Sequence, residues 1–385
     1  MAVCISNTVK NAVGLAISPA HTDIARNVAI GMYGIIIASN QYQKDNMNDT
    51  LSWSVSQIWN DSLLRQNRRP IEPRDYIWAS EMGGSMIDRY LKMQGVKPSN
   101  ERDERSIRKF QAGNMTEWLI CFVLKRAGIL QNTQEYIKHQ YPGMLKVTGR
   151  LDILAGGKPD WERAAAAVND LDMPEFMATA SRAIVDDLKT KYGQELKTIV
   201  IEVKSVASTM FDRYESTRKP APNHAMQIYH YLVGKQMDEG HILYFSKDDC
   251  RMVEIPIHLA TPYEDAYRRD IETITEYYNR KEQPPKEDEV VFNIERGKFA
   301  MNFKVEYSDY ITMLYGYPHA NDFRDKWKKR VDQWNRVLKR FVDGENITAG
   351  NLEVVKDIKT VFPNFEEIVE TRKQIQPVEA EEESV

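Results

Sequence analysis

The sequence predicts an α/β fold, a central mixed sheet flanked by helices, with further helices added at both ends. Three observations predict it. Residues 107–130, IRKFQAGNMTEWLICFVLKRAGIL, carry the strongest amphipathic helical pattern in the chain. Beyond them the apolar spacing changes to that of strands. The run TIVIEVKSVAS at 198–208 then reads as a buried strand that carries two charges.

Taken in order, residues 1–50 give mixed signals. Within them VAIGMYGIIIAS (28–39) is too short to span a bilayer and lacks a basic leader, so it is expected to be core or an oligomer contact. Residues 51–66 predict a helix, followed by a basic cluster of Arg65, Arg68 and Arg69 that ends at Pro70. A second helix is predicted from Tyr76, on the spacing of Ile77, Met82, Met86, Ile87, Tyr90 and Leu91. The helix over 107–130 presents Trp118, Leu119, Phe122, Val123 and Leu130 as its apolar side, and Gly128 supplies a stop. YPGMLKVTGRLDIL (141–154) predicts two short strands meeting at Gly149, with Asp152 on the second. A helical insertion over about 161–193 precedes the charged strand. A loop rich in Arg, Lys and Pro (211–223) and a helix (224–237) follow it. A hairpin turning at Asp248–Asp249 comes next.

Residues 263–281 are predicted helical, EQPPKEDE a linker, and 322–344 a charged amphipathic helix with Gly344 just past it. The division that follows is a mostly helical region over 1–106 and a core over 107–281, with an insertion at about 156–197. A helical region over 282–372 and an acidic, disordered tail over 373–385 complete it.

Composition narrows the partners. At 385 residues, 42% hydrophobic and 28% charged with net charge −4, the chain has no global basic excess, so any nucleic-acid surface must be local. Cys4, Cys121 and Cys250 are far apart, which argues against a disulfide framework and a cysteine-built zinc site and suits a reducing, cytoplasmic setting with no membrane partner.

The charged strand is where chemistry enters. Side chains alternate along a strand, so Ile199, Ile201 and Val203 share one side while Val200, Glu202 and Lys204 share the other. The plain alternative is an ion pair at a strand end. Asp152 on the neighbouring strand and Glu117 in the preceding helix add two more carboxylates, and such hard oxygen ligands suit Mg²⁺ or Mn²⁺. A metal held there against a phosphodiester lowers the pKa of bound water and neutralises the leaving oxygen. A lysine one strand step away can orient that water or stabilise phosphorane charge, and a lysine pKa depressed beside metal would let it take a proton.

The ordered set G-R-L-D (149–152), E-V-K (202–204) and Q-x-x-x-Y (Gln227 to Tyr231) resembles the PD-(D/E)xK nuclease superfamily, specifically its RecB-like exonuclease branch. The resemblance implies a restriction-endonuclease-like core in which Asp152 and Glu202, with the carbonyl of Val203, bind metal, and Lys204 is catalytic. Gln227 and Tyr231, one helical turn apart, contact DNA or position the catalytic groups. Gly113 and Glu117 are similar to the family's G-x-x-x-(H/E) motif, in which the last residue reaches the metal; a solvated helix carboxylate is the alternative for Glu117. The literal Pro159-Asp160 pair is discounted, because Asp160 suits a helix N-cap. The implied activity is metal-dependent hydrolysis of DNA, as an exonuclease in recombination, repair or phage DNA processing. The alternative is a non-catalytic DNA-binding or assembly protein on the same fold. Either admits a homo-oligomer or a recombination or replication partner protein.

Two departures stand out. Iron–sulfur members of the branch carry four cysteines, where this chain has Ser85, Val305, Ser308 and Met313 within an aromatic frame of Phe303, Tyr307 and Tyr310. No iron–sulfur cluster is expected, with local packing replacing it. The interval between Asp152 and Glu202 is also long, and its helical insertion serves as decoration, a clamp, a lid or an assembly surface. Arg213, Arg218 and Lys219 are candidate phosphate contacts. The basic helix bearing Trp327 and Trp334 fits either strand binding or packing. His224, His230 and His241 are expected to pack.

Overall fold

The computed structural model describes residues 54–67, 72–100, 104–169, 175–259 and 263–382. The segment 28–39, the cluster members Arg68 and Arg69, and the last three residues lie outside them. The elements are α1 (Val55–Asn67), β1 (Tyr76–Trp78), α2 (Met86–Met93), α3 (Glu104–Arg126), β2 (Leu130–His139), β3 (Lys146–Gly157), α4 (Trp161–Asn169), α5 (Glu175–Lys191) and β4 (Leu196–Val206). Then come α6 (Ser208–Thr217), α7 (Pro222–Lys235), β5 (Glu239–Ser246), β6 (Met252–His258) and α8 (Tyr263–Arg280). The chain continues through β7 (Val290–Asn293), β8 (Lys298–Met301), α9 (Phe303–Glu306), α10 (Ile311–Tyr315), α11 (Ala320–Val342), α12 (Ala349–Val361) and α13 (Phe365–Glu382). None of the described helices is long and apolar enough to cross a membrane.

Two compact units result. The first holds Tyr76–Met82, Arg102–Ile271 and the described residues before Pro70; the second holds Ile71–Asp75, Gly83–Glu101 and Glu272–Val385. The first is built on a six-stranded mixed sheet in the order β1-β3-β4-β5-β6, with β2 on the other edge of β3. β1 runs parallel to β3, β3 antiparallel to β4, and β4 parallel to β5. Parallel neighbours need a crossover, and α6 and α7 supply it.

One face of the sheet, Ile153, Ala155, Ile201 and Leu243, packs on Ile120, Cys121 and Leu124 of α3. The other face carries α7, whose Ile228 and Leu232 come so close to Gly240 that a Cβ there would sit 3.0 Å from Ile228 Cδ1 and 3.1 Å from Leu232 Cδ2. Pro222 opens α7 at its first turn, where a missing N–H costs nothing.

Several sequence expectations change here. The strand over 146–157 is continuous through Gly149 rather than broken there. Residues 76–81 form a short strand and a 3-10 turn, and only Met86–Met93 is helical, because the β-favouring Tyr-Ile-Trp run pairs with β3. The expected loop at 211–223 holds α6, and the linker after α8 leads into the β7–β8 hairpin. On α3 the expected core side is reversed: Trp118, Leu119 and Val123 are 60%, 43% and 47% exposed. That helix has two apolar stripes, and the sheet takes the one lying on Glu117's side. Residues 373–382, expected to be an acidic disordered tail, fall within α13, although Pro377 lies inside it.

Asp160 caps α4 as the sequence suggests: its Oδ1 accepts from Arg163 N at 2.9 Å. The insertion is bracketed by Gly157 and Leu196, which are register partners in the β3–β4 ladder. It carries its own small core of Ala164 and Val185 beneath Trp161.

In the second unit the β7–β8 hairpin and α11–α13 bury Phe299, Trp327, Trp334 and Phe365. Trp334 Nε1 donates to Asp357, which also holds Arg330. The two tryptophans are therefore packing residues, and the strand-binding alternative for α11 falls.

Candidate active site

The site forms where two strands part. The β3–β4 ladder pairs Ile153 with Ile201 and stops there. One step on, the Asp152 carboxylate takes over from the backbone: its Oδ2 accepts from Val203 N at 3.0 Å. Because Ile153 and Ile201 are directly opposite, Asp152 and Glu202 lie on the same face of the sheet, the face covered by α7.

Glu202 is 1% exposed and Lys204 22% exposed, and Lys204 Nζ donates to Glu202 Oε1 at 2.6 Å. The same ammonium donates to Gln227 Oε1 at 3.0 Å, and Gln227 Nε2 donates to Tyr231 OH at 3.0 Å. A relay thus runs from Glu202 through Lys204 and Gln227 to Tyr231, with one turn of α7 supplying its far end. The third proton of Lys204 is left for a group entering the pocket.

Gly149 makes this packing possible. A Cβ at 149 would stand 2.8 Å from Tyr231 Cε1 and 2.8 Å from Ala79 Cβ. The glycine of G-R-L-D therefore clears space for the tyrosine of Q-x-x-x-Y. Glu117 reaches the same site from α3. Gly113 on that helix faces β4, where its Cβ would lie 3.3 Å from Ser205 Oγ.

The carboxylates are crowded. Burial first, then Asp152, pushes Glu202 up to about 8. Burial and then Asp152 push Glu117 up to about 7, although Gln134 Nε2 donates to it at 2.6 Å. Asp152 is raised by burial against the opposing pull of Lys204, the Val203 N–H and Glu202. For Lys204 burial acts to lower the pKa, but Glu202, Asp152 and Glu117 together outweigh it and hold the ammonium above the ordinary lysine range. With three acidic neighbours the direction is upward; a depressed lysine is the expectation only beside a bound metal.

Glu202 Oε2 is buried and has no hydrogen-bond partner, a costly state that a cation beside it would relieve. The donors are all hard oxygens, which suits Mg²⁺ or Mn²⁺. Among the described residues no group of three or more His, Cys, Asp or Glu side chains stands in metal-ligating geometry as it is. Asp152 and Glu202 are the carboxylates the strands bring together, while Glu117 is turned to Gln134.

Gln134 is the residue sequence reasoning missed. It occupies β2 between Thr133 and Glu135, which pair with Ile153 and Leu151, so it lies across from Asp152. Its φ of 53° is left-handed, a conformation that costs a non-glycine residue about 1–3 kcal/mol. Nothing in a glutamine within a polar strand announces that role.

The basic candidates sit elsewhere on the same unit. Arg213 lies on α6. Arg218 is that helix's left-handed C-cap (φ 51°) and donates to Glu254 O at 3.4 Å, and Lys219 beside it is exposed. His230 is fully buried with Nδ1 2.9 Å from Tyr267 OH. His224 Nδ1 lies 3.0 Å from Tyr244 OH, and His241 is held between Glu239 and Glu254. All three are packing or ion-pair residues.

No family model matches the chain, and no curated protein matches it. Among solved structures, the crystal structure of SSO0001 overlaps 68% of this chain and 96% of its own, at 14% identity and a TM-score of 0.40. An alkaline exonuclease (LHK-Exo) from Laribacter hongkongensis overlaps 54% of this chain and 93% of its own, at 14% identity and a TM-score of 0.26. Overlap that loose carries no weight for function, and the chemistry rests on the chain's own residues.

Proposed function

We propose that the chain is a divalent-metal-dependent nuclease that hydrolyses phosphodiester bonds in DNA. The observation that carries the reading is the convergence of Asp152, Glu202 and Lys204 at the fork between β3 and β4, with Gln227 and Tyr231 behind them. Asp152, Glu202 and the Val203 carbonyl would hold Mg²⁺ or Mn²⁺, with Glu117 joining once released from Gln134. Such an ion, when bound, supplies a lowered water pKa and charge neutralisation at phosphorus.

The protein's own groups have separate tasks. Lys204, kept protonated by its acidic neighbours, donates a charged hydrogen bond to the attacking water or to a non-bridging phosphate oxygen. Gln227 fixes the ammonium, and Tyr231 fixes Gln227. Asp152 also closes the fork by taking the Val203 N–H, which ties the two strands in register at the reacting centre.

The test is a time course with Mn²⁺ on end-labelled linear DNA beside closed circular DNA. Wild-type protein should cleave. Lys204→Ala should cut the rate by about 10²–10³-fold, the loss typical of removing one charge-stabilising donor, while its circular dichroism stays native. Release of single nucleotides from linear DNA alone would identify exonuclease action, as the sequence resemblance implies. Wild-type protein that binds DNA yet leaves both forms intact would overturn the proposal in favour of a binding or assembly role.

A further inference from the structure

One residue beside the reacting centre is held in a conformation that its own chemistry does not favour. Gln134 lies in β2 at φ 53°, in the left-handed region that Gly, Asn and Asp visit more readily than glutamine does. The rungs on either side pin it there, Thr133 pairing with Ile153 and Glu135 with Leu151. Glu135 is fixed again by Lys235 Nζ at 2.8 Å and by Asn132 Nδ2 at 3.1 Å. Strain that the surrounding ladder maintains at the edge of a site points to a task for the side chain.

Among the described residues that side chain makes one hydrogen bond, from Nε2 to Glu117 Oε1 at 2.6 Å. Glu117 is the third acidic group of the site and close enough to Asp152 for the two charges to repel. Yet the three carboxylates do not stand in metal-ligating geometry, and Glu202 Oε2 is left buried without a partner. An outer partner that orients a metal ligand holds it towards the ion. Were Gln134 such a partner, Glu117 would already converge with Asp152 and Glu202. It holds Glu117 aside instead.

We propose that Gln134 is a positioning residue that competes with a divalent cation for Glu117, keeping the site at two carboxylates until the ion draws the third away. The inference rests on the nuclease reading and deepens it, by naming what sets the affinity for its metal. Each anionic oxygen ligand added tightens a site for a hard cation. An ion that recruits Glu117 must first take it from the Gln134 amide, so part of its binding free energy is spent on breaking that bond.

Mn²⁺ binding is measured by isothermal titration calorimetry with no DNA present. The proteins are wild type, Gln134→Gly, Gln134→Asn, Glu117→Gln and the double variant Glu117→Gln/Gln134→Gly. Gln134→Gly should tighten binding by about 10- to 150-fold, the equivalent of the roughly 1.5–3 kcal/mol that a hydrogen bond to a charged group contributes. Gln134→Asn suits the left-handed backbone but is one methylene short of Glu117, and it should tighten binding too. With Glu117→Gln in place, Gln134→Gly should change nothing further, because the amide then has no ligand to withhold. Affinity unchanged in both Gln134 variants would overturn the inference even if wild-type protein cleaves DNA. Weaker binding in both would overturn it as well and make Gln134 an orienting partner of Glu117. So would tightening that persists in the Glu117→Gln background. Absence of Mn²⁺ binding in every form would remove the inference together with the metal site. Failure of the nuclease reading alone shows separately, as DNA left intact in the time course by a chain that binds Mn²⁺.

Discussion

Gly149 shows how a single position can hold two motifs together. Its missing side chain is where the Tyr231 ring and Ala79 meet β3. A methyl group there cannot be absorbed by a flexible neighbour, because Tyr231 is 1% exposed and Ala79 fully buried. Gly149→Ala should therefore cost about 1–3 kcal/mol from overpacking and should also disturb catalysis, since Tyr231 steadies Gln227 and Gln227 steadies Lys204. Urea unfolding gives the first effect and Mn²⁺-dependent cleavage the second. Combining it with Tyr231→Ala should recover part of the lost stability, because the clashing ring is gone, and should leave cleavage impaired. A double variant no more stable than Gly149→Ala would place the strain elsewhere. At this scale much of the site was legible. Strand alternation alone put Glu202 and Lys204 on one face, and helical spacing paired Gln227 with Tyr231. Gln134 was not legible, because its contribution depends on a left-handed φ and a cross-strand position that no local pattern encodes. The upward push on Lys204 was not legible either, since it depends on how many carboxylates converge in space.

At the scale of elements, α7 is the helix around which the site is organised, with every residue from Ala225 to Leu232 buried. That includes His230, which burial, ahead of its other influences, pushes down to about 4. The sign follows from where the proton binds. Between the ordinary histidine value of 6.5 and about 4, the unfolded chain takes a proton at this residue and the folded chain does not. Stability should therefore fall as pH drops through that window, by up to about 3 kcal/mol for this one group at 1.36 kcal/mol per pKa unit. Urea midpoints measured from pH 7 to pH 4 should show it, and His230→Gln, which cannot be protonated, should have a shallower slope whatever its absolute stability. Equal slopes would mean that His230 is protonated without unfolding. The element boundaries that sequence periodicity missed have a common cause. β1 and the continuous β3 exist because of pairing with distant strands, and the outward stripe of α3 satisfies helical spacing as well as the inward one does. Local patterns report that a residue is apolar on a helix; the sheet decides which stripe it buries.

At the scale of the whole molecule, the second unit is assembled from segments far apart in sequence, and a buried carboxylate joins them. Asp88 Oδ1 accepts from Ser85 Oγ at 3.1 Å and from Ser308 Oγ at 2.9 Å, and its Oδ2 accepts from Asp309 N at 3.0 Å. Lys92 pairs with Asp309 at 2.7 Å, and Tyr310 OH donates to Val96 O at 2.7 Å. Ser85 and Ser308 are two of the four positions at which the sequence resemblance would place thiolates, so the two segments that a cluster would join meet at a hydrogen-bonded aspartate. The aromatic frame agrees in part: Tyr310 is fully buried, whereas Phe303 and Tyr307 are exposed. Removing Asp88 strands two hydroxyls and a backbone N–H, and each such group left unsatisfied costs about 1–3 kcal/mol. Asp88→Ala should therefore loosen the second unit where its segments join, with Asp88→Asn intermediate because the amide keeps one acceptor oxygen. Hydrogen exchange read by mass spectrometry locates the effect. Peptides covering Met86–Met93 and 303–315 should exchange faster in the variant, while those from 225–232 in the first unit should keep their protection. Unchanged exchange at both segments would show that the apolar contacts of Ile87 and Leu91 with Tyr310 and Leu314 hold them without the carboxylate. Loss of protection throughout would instead make Asp88 a requirement for folding of the entire chain.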